Sequence, residues 1–552
     1  MTSGPSPATP SPAKSPSARR SLLRNFATVG GMTLISRVTG FVRDIFIAGV
    51  LGAGLAADAF LIAFQFPNLF RRLFAEGAFS AGFVPIFSEI LEKEGRDKAR
   101  RFAEEAFAVL AVALLIFVLI MMIFMPIALF AIAPGFDRIP GQMERAADLA
   151  RISFPYLLFI SLVSLQSGVL NALDRFAAAA ATPILLNLTL ISALLFALES
   201  GVDAAQALAW GISLAGVIQF AWLAWRVRAA GMPLGLIRPR ISPRVKQLMV
   251  RILPVVFGAS LYQLNLLIDK IIATLVAVGA VSWLYFADRV NQLPLGVIGV
   301  GIGVALLPML TRSIQGGHED DALAIQNRAI EISLVLTLPA AIGLLILANP
   351  IAAVLYERGA FTAADRQAVG AALAAFASGL PAYVLIKALV PGFFGRQDTA
   401  TPVKISVFAM AVNIALNLIL MGPLGHVGIA VATAVSAWLN AGLLGYVLMR
   451  RGHLVIDRRL ARRLPRMGAA VIGMGLMVWG AGEGVITVFG PLFGADGAAA
   501  AGELPRALAL AGLIGLGGTV YVGLLLVSGG VALTDLKSLR WRSSAPSAAD
   551  QT

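Results

Sequence analysis

Long apolar runs separated by short polar segments follow one another along almost the whole chain of 552 residues. Each run approaches the ~20 residues that a helix needs to cross a bilayer. A membrane β-barrel would instead show segments of about 10 residues with alternating polarity. We therefore predict about fourteen spanning helices, at approximately 26–48, 58–82, 102–131, 152–173, 182–198, 206–227, 249–277, 282–309, 330–353, 368–391, 403–421, 427–449, 467–489 and 507–527.

The composition agrees with this pattern. Hydrophobic residues make up 58% of the chain and charged residues only 13%, whereas soluble domains carry about 25% charged residues. The deficit extends over almost the whole length, which excludes a soluble fold with a single anchor. The predicted fold class is an all-α integral membrane protein.

The net charge of +14 is concentrated in short segments between the runs. Residues 226–251 hold seven basic residues and no acid, and residues 450–466 hold seven against one acid. Positive charge in short loops marks the cytoplasmic side and favours contact with anionic membrane lipids over nucleic acid. With Lys14, Arg19, Arg20 and Arg24 before the first run, and with an even number of spans, both termini are predicted to be cytoplasmic.

A faint internal repeat predicts the domain organisation. Phe154-Pro155-Tyr156, Arg175 and Thr182-Pro183 find partial counterparts in Pro381, Tyr383, Arg396 and Thr401-Pro402. Transporters are often built from such repeats, with the substrate site where the repeats meet. We predict a disordered tail (1–20), an N-lobe of six spans (21–228), a basic linker (229–248), a C-lobe of six spans (249–450), a basic loop (451–466), two further helices (467–530) and a cytoplasmic tail (531–552).

Several kinds of chemistry are missing from the sequence. The chain has no cysteine, its three histidines lie in predicted loops without metal-ligand spacing, and it has no phosphate-binding P-loop. We therefore expect neither an enzyme nor a cofactor or resident metal. Without a nucleotide site, a transporter would take its energy from a monovalent cation gradient or from the membrane potential. The potential supplies about 2.3 kcal/mol per charge per 100 mV.

Ionisable residues inside the spans are the candidate functional residues, because each costs about 2.5–3.5 kcal/mol at a helix centre. Arg37 and Asp44 are seven apart and share a helix face. Asp58, Arg72 and Glu76 fall on one face of the second span, with the last two spaced for an ion pair. The predicted headgroup-binding set is Arg37, Arg43, Asp44, Asp58, Arg71, Arg72, Glu76, Asp288 and Arg289.

Two interpretations of these charges remain open. Arginine binds phosphate through two parallel hydrogen bonds and stays charged in dry surroundings, so the set suits a diphosphate headgroup in a hydrated cavity. Alternatively, each arginine pairs with a neighbouring acid, as Arg289 could with Asp288. Asp269, in an apolar run, either pairs with Lys270 or binds a coupling cation.

A series of short motifs resembles the MurJ/MviN family. The motifs occur in order along the chain, at Ser36–Asp44, Gly52–Gly54, Asp58–Phe60, Pro67–Phe79, Ala133–Phe136, Ala287–Arg289, Pro391–Phe393, Arg396–Asp398 and Thr401–Lys404. The last two spans and both tails carry little of this resemblance.

The resemblance implies a fold of the MOP exporter superfamily, with two lobes around a central cavity and two extra helices that form a hydrophobic groove. It implies lipid II, the undecaprenyl-diphosphate-linked peptidoglycan precursor, as the substrate, and cell-wall synthesis proteins as possible partners. The matching cavity residues are Arg37, Arg43, Asp58, Arg71 or Arg72, and Arg289. The helical phase with Asp58 favours Arg72. The family's cation site in the C-terminal lobe would correspond to Asp269 and Asp398.

The resulting hypothesis is a flippase that works by alternating access. The rivals within transport are a cation-coupled drug exporter, for which an acidic or aromatic cavity is expected, and an exporter of another lipid-linked oligosaccharide. A membrane enzyme acting on lipid diphosphates would need clustered carboxylates, histidines or a metal. A scaffold for cell-wall synthesis would tolerate charge-neutral substitutions in the spans.

Overall fold

The computed structural model describes residues 16–73, 79–488 and 503–531. Within these ranges the side chains of 16–27, 70, 72–73, 79–81, 253–262, 264, 266, 300, 302–305 and 483–488 are not described. The predicted tails at 1–20 and 531–552 therefore lie largely outside the described residues.

Every regular element in the described ranges is a helix. The α-helices in chain order are α1 (Pro16–Leu51), α2 (Leu55–Leu73), α3 (Phe79–Glu94), α4 (Arg96–Ile123), α5 (Met125–Ile132), α6 (Gln142–Ser153), α7 (Tyr156–Ala172), α8 (Phe176–Ala180), α9 (Thr182–Ser200), α10 (Ala204–Ala229), α11 (Pro243–Val276), α12 (Ala280–Pro294), α13 (Val300–Gln315), α14 (Glu319–Ile346), α15 (Ala348–Tyr356), α16 (Ala363–Ser378), α17 (Leu380–Phe394), α18 (Ala400–Arg450), α19 (Arg458–Val488) and α20 (Glu503–Val527). A short 3-10 helix covers Pro134–Arg138 and a π-helical turn covers Leu295–Gly299.

Nine of the described helical segments are long and apolar enough to cross a membrane. One of them, α18, contains two of the predicted spans, joined across a kink at Gly425, whose φ is 56°. Within the described residues, each predicted span is mainly helical, so the all-helical membrane fold is confirmed. The count of about fourteen spans stays a prediction.

The first compact unit, unit 1, comprises Met1–Phe46, Ala63–Ala128 and Glu144–Ser260. Its core holds α10 against α7 and α9, and α3 against α4 and α7. The ring of Phe83 stacks on Phe87 and Phe102, at centroid distances of 5.4 and 5.5 Å. Aromatic packing of this kind stabilises helix contacts by dispersion in addition to area burial.

The second compact unit, unit 2, comprises Ile47–Ile62, Leu129–Met143 and Leu261–Thr552. Two short segments from the amino-terminal half therefore belong to the same compact unit as the carboxy-terminal helices. Inside this unit α17 packs against α14 and α18, and α12 against α16. The rings of Phe286, Tyr356 and Phe361 pack together in its core.

The backbone supports the internal repeat. In the described ranges, Asp174 (φ 57°) and Gln397 (φ 63°) are the non-glycine residues with positive φ. Asp174 follows α7, just before Arg175, and Gln397 follows α17, just after Arg396. Each lies shortly before a Thr-Pro pair near the start of the next long helix. A residue other than glycine rarely adopts this conformation, so its occurrence at corresponding places indicates related local structures.

Candidate functional site

A polar cluster surrounds Asp269 in unit 2. Asn417 donates a hydrogen bond of 2.7 Å to Asp269 Oδ1, and the hydroxyl of Thr433 lies 3.5 Å from Oδ2. With its amide oriented to satisfy both groups, Asn413 donates to Asp269 Oδ1 at 3.0 Å and to Asn265 at 3.2 Å. The partners of this α11 carboxylate are thus neutral amides and a hydroxyl from the two parts of α18.

The cluster offers oxygen ligands to a cation. Asn413 and Asn417 are fully buried, and the side-chain oxygen of Asn417 has no hydrogen-bond partner among the described residues. A buried acceptor without a donor is costly, and hard cations bind carboxylate and amide oxygens. The described residues contain no group of three or more His, Cys, Asp or Glu that could hold a metal, and the cluster itself offers one carboxylate, amide oxygens and a hydroxyl.

Asp398, the second residue predicted for the cation site, makes contacts of a different kind. Its Oδ1 accepts from the backbone N–H of Thr401 at 2.9 Å, and its Oδ2 accepts from Arg451 at 2.6 Å. Asn413 lies fifteen residues further along α18, about 22 Å at 1.5 Å per residue. The hydrogen bonds from Thr401, with that from Arg451, hold the pKa of Asp398 well below its usual range. No described contact links it to Asp269.

Arg43, Asp44 and Asn187 form a closed group in unit 1. The guanidinium of Arg43 donates to Asp44 Oδ1 at 2.6 and 3.0 Å and to Asn187 Oδ1 at 3.0 Å. Asn187 in turn donates to the carbonyl of Ser36 and the hydroxyl of Thr39. Because all three side chains are at most 5% exposed, Arg43 and Asp44 neutralise each other inside the fold.

The other predicted residues of the first two helices differ from this group. Arg37 is exposed on α1 and has no hydrogen bond or ion pair among the described residues. Arg71 is half-buried and donates to Asn68 Oδ1 at 2.8 and 3.0 Å. The side chain of Arg72 and the whole of Glu76 lie outside the described residues, so the preference for Arg72 stays a prediction.

Asp58 caps a helix. Its carboxylate accepts from the backbone N–H groups of Gly279 and Ser282, at 2.7 and 2.9 Å, and from the hydroxyl of Ser282 at 2.5 Å. Gly279 precedes α12, whose first N–H groups lack partners within the helix. The 2% exposed carboxylate therefore satisfies the amino end of α12, inside unit 2.

Asp288 and Arg289 lie in α12, next to each other in sequence. Asp288 accepts a hydrogen bond from Gln292 and is close enough to interact electrostatically with Asp269. The guanidinium of Arg289 lies over the ring of Tyr285, 5.0 Å from its centroid, and donates to the Tyr285 hydroxyl at 3.0 Å.

Close backbone contacts at glycine residues connect the two short segments of unit 2, Ile47–Ile62 and Leu129–Met143, to its later helices. Ala360 N–H donates to the carbonyl of Gly49 at 2.8 Å. A side chain at Gly52, where φ is 67°, would lie 2.5 Å from the Ala360 carbonyl. A side chain at Gly135 would collide with the Thr274 carbonyl. We call the contacts of Gly49, Gly52 and Gly135 with Arg358–Ala360 and Thr274 the glycine contact zone.

An apolar groove of about 280 Å³ lies on unit 2 between α14 and α19. Its lining is almost wholly apolar and consists of Ile342, Ile346, Val471, Ile472, Gly475, Leu476 and Trp479. The lining side chains of α19 come from the first of the two helices predicted to form a hydrophobic groove.

Sequence reasoning missed Asn187, Asn413, Asn417 and Thr433. Each is an uncharged polar residue inside an apolar run, and the search considered only ionisable groups. The spacing of Asn413 and Asn417, four residues apart and therefore on one helix face, was a usable signal.

Comparisons with known proteins place the chain in a family. The sequence profile described as "Lipid II flippase MurJ" matches residues 47–493, a range that begins just after the Ser36–Asp44 motif. A "Probable lipid II flippase MurJ" of Rhizobium meliloti (strain 1021) is 44% identical over 537 residues, 96% of this chain and 98% of that protein. The relative from Rhizobium tropici, with the same description, is 48% identical over 465 residues, 83% of this chain and 87% of that protein.

Solved structures show the same fold. A structure titled "Lipid II flippase MurJ, inward closed conformation" matches with a TM-score of 0.74 at 22% identity, covering 92% of this chain and 99% of that one. A MATE family multidrug resistance transporter of the MOP superfamily, in an inward-facing conformation, matches with a TM-score of 0.64 at 14% identity, covering 77% of this chain and 98% of that one. Together with the match over residues 47–493, these similarities show that the chain belongs to the MurJ family of lipid II flippases.

Proposed function

We propose that this protein moves lipid II from the cytoplasmic to the periplasmic leaflet of the bacterial inner membrane by alternating access, with both termini in the cytoplasm. The family match over residues 47–493 is the observation that carries this proposal. The rival hypothesis, a drug exporter of the same superfamily, is supported only by similarity of fold at 14% identity. Such similarity does not indicate a shared substrate.

The described charges divide into two groups with respect to the headgroup. Arg37 keeps an exposed guanidinium, which suits the diphosphate, and Arg289 contacts the ring and the hydroxyl of Tyr285. The guanidinium of Arg43 is paired with Asp44 and hydrogen-bonded to Asn187, so its role is to hold α1 in position. The undecaprenyl tail stays in lipid, and the apolar groove between α14 and α19 offers it a surface.

Coupling is assigned to the Asp269 cluster. A monovalent cation there would neutralise the carboxylate and use the unpartnered oxygen of Asn417. Since the cluster joins α11 to both parts of the kinked α18, occupancy would bias the packing of these helices. The membrane potential is the alternative energy source.

The glycine contact zone supports the alternating-access part of the proposal. The predicted topology places Gly49–Ala57 and Val278–Val281 outside the cytoplasm. The backbones approach so closely that there is no room even for a Cβ atom at Gly52 or Gly135, so we expect these contacts to separate when the substrate leaves on this side.

The function is tested by expressing the chain in a strain depleted of its own lipid II flippase and measuring how much lipid II is accessible from outside. Wild-type protein restores accessibility and growth, and Arg37→Ala reduces both. Arg228→Ala, which removes an exposed arginine outside the predicted headgroup set, is the matched control. Failure of the wild type to restore lipid II accessibility at normal membrane levels would overturn the proposal.

A further inference from the structure

A cavity of about 310 Å³ opens at one end of unit 1, away from every residue discussed so far except those of the internal repeat. It is lined by Thr28, Asp174, Arg175, Phe176, Ala177, Ala178 and Arg226. These come from α1, the turn between α7 and α8, α8 itself and the last turn of α10. The predicted topology places all of these segments at the cytoplasmic end of the bundle.

The two arginines of the cavity have no carboxylate partner among the described residues. The guanidinium of Arg226 lies 5.7 and 5.5 Å from the ring centroids of Trp222 and Trp225. Arg175 makes one long contact, 3.4 Å, to the carbonyl of Ala229. Both side chains are therefore held in place while their positive charge stays unneutralised.

The corresponding turn of the repeat is closed by ion pairs instead. There, Arg396 bonds to Glu319 at 2.5 Å, and Arg451, near the end of α18, bonds to Asp398 at 2.6 Å. Arginines near the turn in unit 2 are thus met by carboxylates, whereas Arg175 and Arg226, which occupy other positions of the repeat, line a cavity in unit 1. In unit 1 no described carboxylate pairs with Arg175 or Arg226, so the two guanidinium groups are suited to an anionic group of a ligand.

The surroundings of the cavity indicate a lipid. Trp225 is 56% exposed and continues the exposed apolar face of α10 that includes Trp210 and Leu214. Tryptophan concentrates where acyl chains meet headgroups. A cavity of this volume lies at the lower end of small-ligand sites, which suits one phospholipid headgroup and excludes a disaccharide with its peptide.

We propose that this cavity binds the headgroup of a cytoplasmic-leaflet phospholipid, with the phosphate held by Arg175 and Arg226 and an ethanolamine-type amine facing Asp174. Arginine pairs with phosphate by charge-assisted hydrogen bonds. Asp174 is exposed and forms no ion pair among the described residues, so it is available to the ammonium. A headgroup with both charges matches this lining better than a purely anionic one.

The test is binding of defined lipids to the delipidated full-length protein, followed by native mass spectrometry. Dioleoyl phosphatidylethanolamine should be retained, and Arg175→Gln with Arg226→Gln should weaken retention by about tenfold. Arg228→Gln, which removes an equal charge from the same helix end, should leave retention unchanged. If the double variant does not fold, each single variant should still show a severalfold loss.

The selectivity between lipid headgroups tests the proposed contact of the ethanolamine amine with Asp174. Phosphatidylethanolamine should be preferred over phosphatidylglycerol by roughly threefold, and Asp174→Asn should remove this preference. Equal retention by wild type and the folded arginine variants would overturn the site, and a preference for phosphatidylglycerol in the wild type would overturn the role of Asp174. Displacement of the lipid by millimolar inorganic phosphate would indicate a soluble anion and would also overturn the proposal.

Discussion

Asp44 in unit 1 and Asp269 in unit 2 are both carboxylates held inside apolar helices, and they are satisfied in different ways. Asp44 bonds to the guanidinium of Arg43, whereas Asp269 bonds to amides and a hydroxyl. A buried charge is costly unless it is paired. The first carboxylate has a cationic partner in the fold, whereas the second has only neutral partners among the described residues. The difference separates a carboxylate that the fold pairs with an arginine from one for which we propose a role in cation coupling.

Asp269→Asn should give the largest effect. It removes the charge while keeping the shape, so cation-dependent transport should fall by at least about tenfold. Lipid II accessibility measured at several concentrations of sodium and of potassium checks this. Asp97→Asn, at an exposed position of α4, is the control. Unchanged cation dependence in Asp269→Asn would contradict the proposed difference between Asp269 and Asp44.

Arg43→Gln should affect stability more than ligand dependence. It leaves the Asp44 charge buried without its partner, a loss of about 3–5 kcal/mol. The double variant Arg43→Gln with Asp44→Asn should recover much of this loss. Thermal unfolding in detergent measures both. A stable Arg43→Gln protein that cannot flip lipid II would instead assign Arg43 to the substrate.

Asp58 is a third case, a buried carboxylate that accepts hydrogen bonds from the amino end of α12. Asp58→Ala should lower the free energy of unfolding by about 1–2 kcal/mol, because capping hydrogen bonds are lost. Ser282→Ala removes one of the three donors and should cost less. If both variants keep the wild-type stability, the cap is not what Asp58 contributes.

Asp398 should show the smallest effect and a defined pH dependence. Its pKa is lowered in the fold by Thr401 and Arg451, so it stabilises the protein above its unfolded pKa of about 3.9. This contribution is lost as the pH falls through the lower folded value. Unfolding temperatures of wild type and Asp398→Asn should therefore differ slightly at pH 7 and converge in acid. A constant difference would contradict this.

The sequence predicted the helical fold well because apolar runs of spanning length leave few alternatives. It also singled out Asp269, since an acid in such a run needs a partner. Its partners Asn417 and Thr433 could not be deduced, because they lie about 150 residues further along the chain and carry no charge. The helical phase of Asp58 suggested a cavity wall, whereas the structure assigns it to the end of α12, a contact that no local pattern encodes.

The glycine contact zone supports the central claim that this protein works by separating packed segments. The chain contains no cysteine, so a disulfide can be introduced without background. A side chain at position 49 would lie 3.2 Å from Cγ of Arg358, within reach of a disulfide. The control pair is Gly211→Cys with Ala193→Cys, where the two Cβ atoms would be 3.0 Å apart within unit 1.

Lipid II accessibility should be measured for Gly49→Cys with Arg358→Cys under oxidising and reducing conditions. The account predicts that oxidation abolishes flipping, that reduction restores it, and that neither single variant nor the oxidised control pair loses activity. Full flipping by the oxidised double variant, with the disulfide verified, would contradict it.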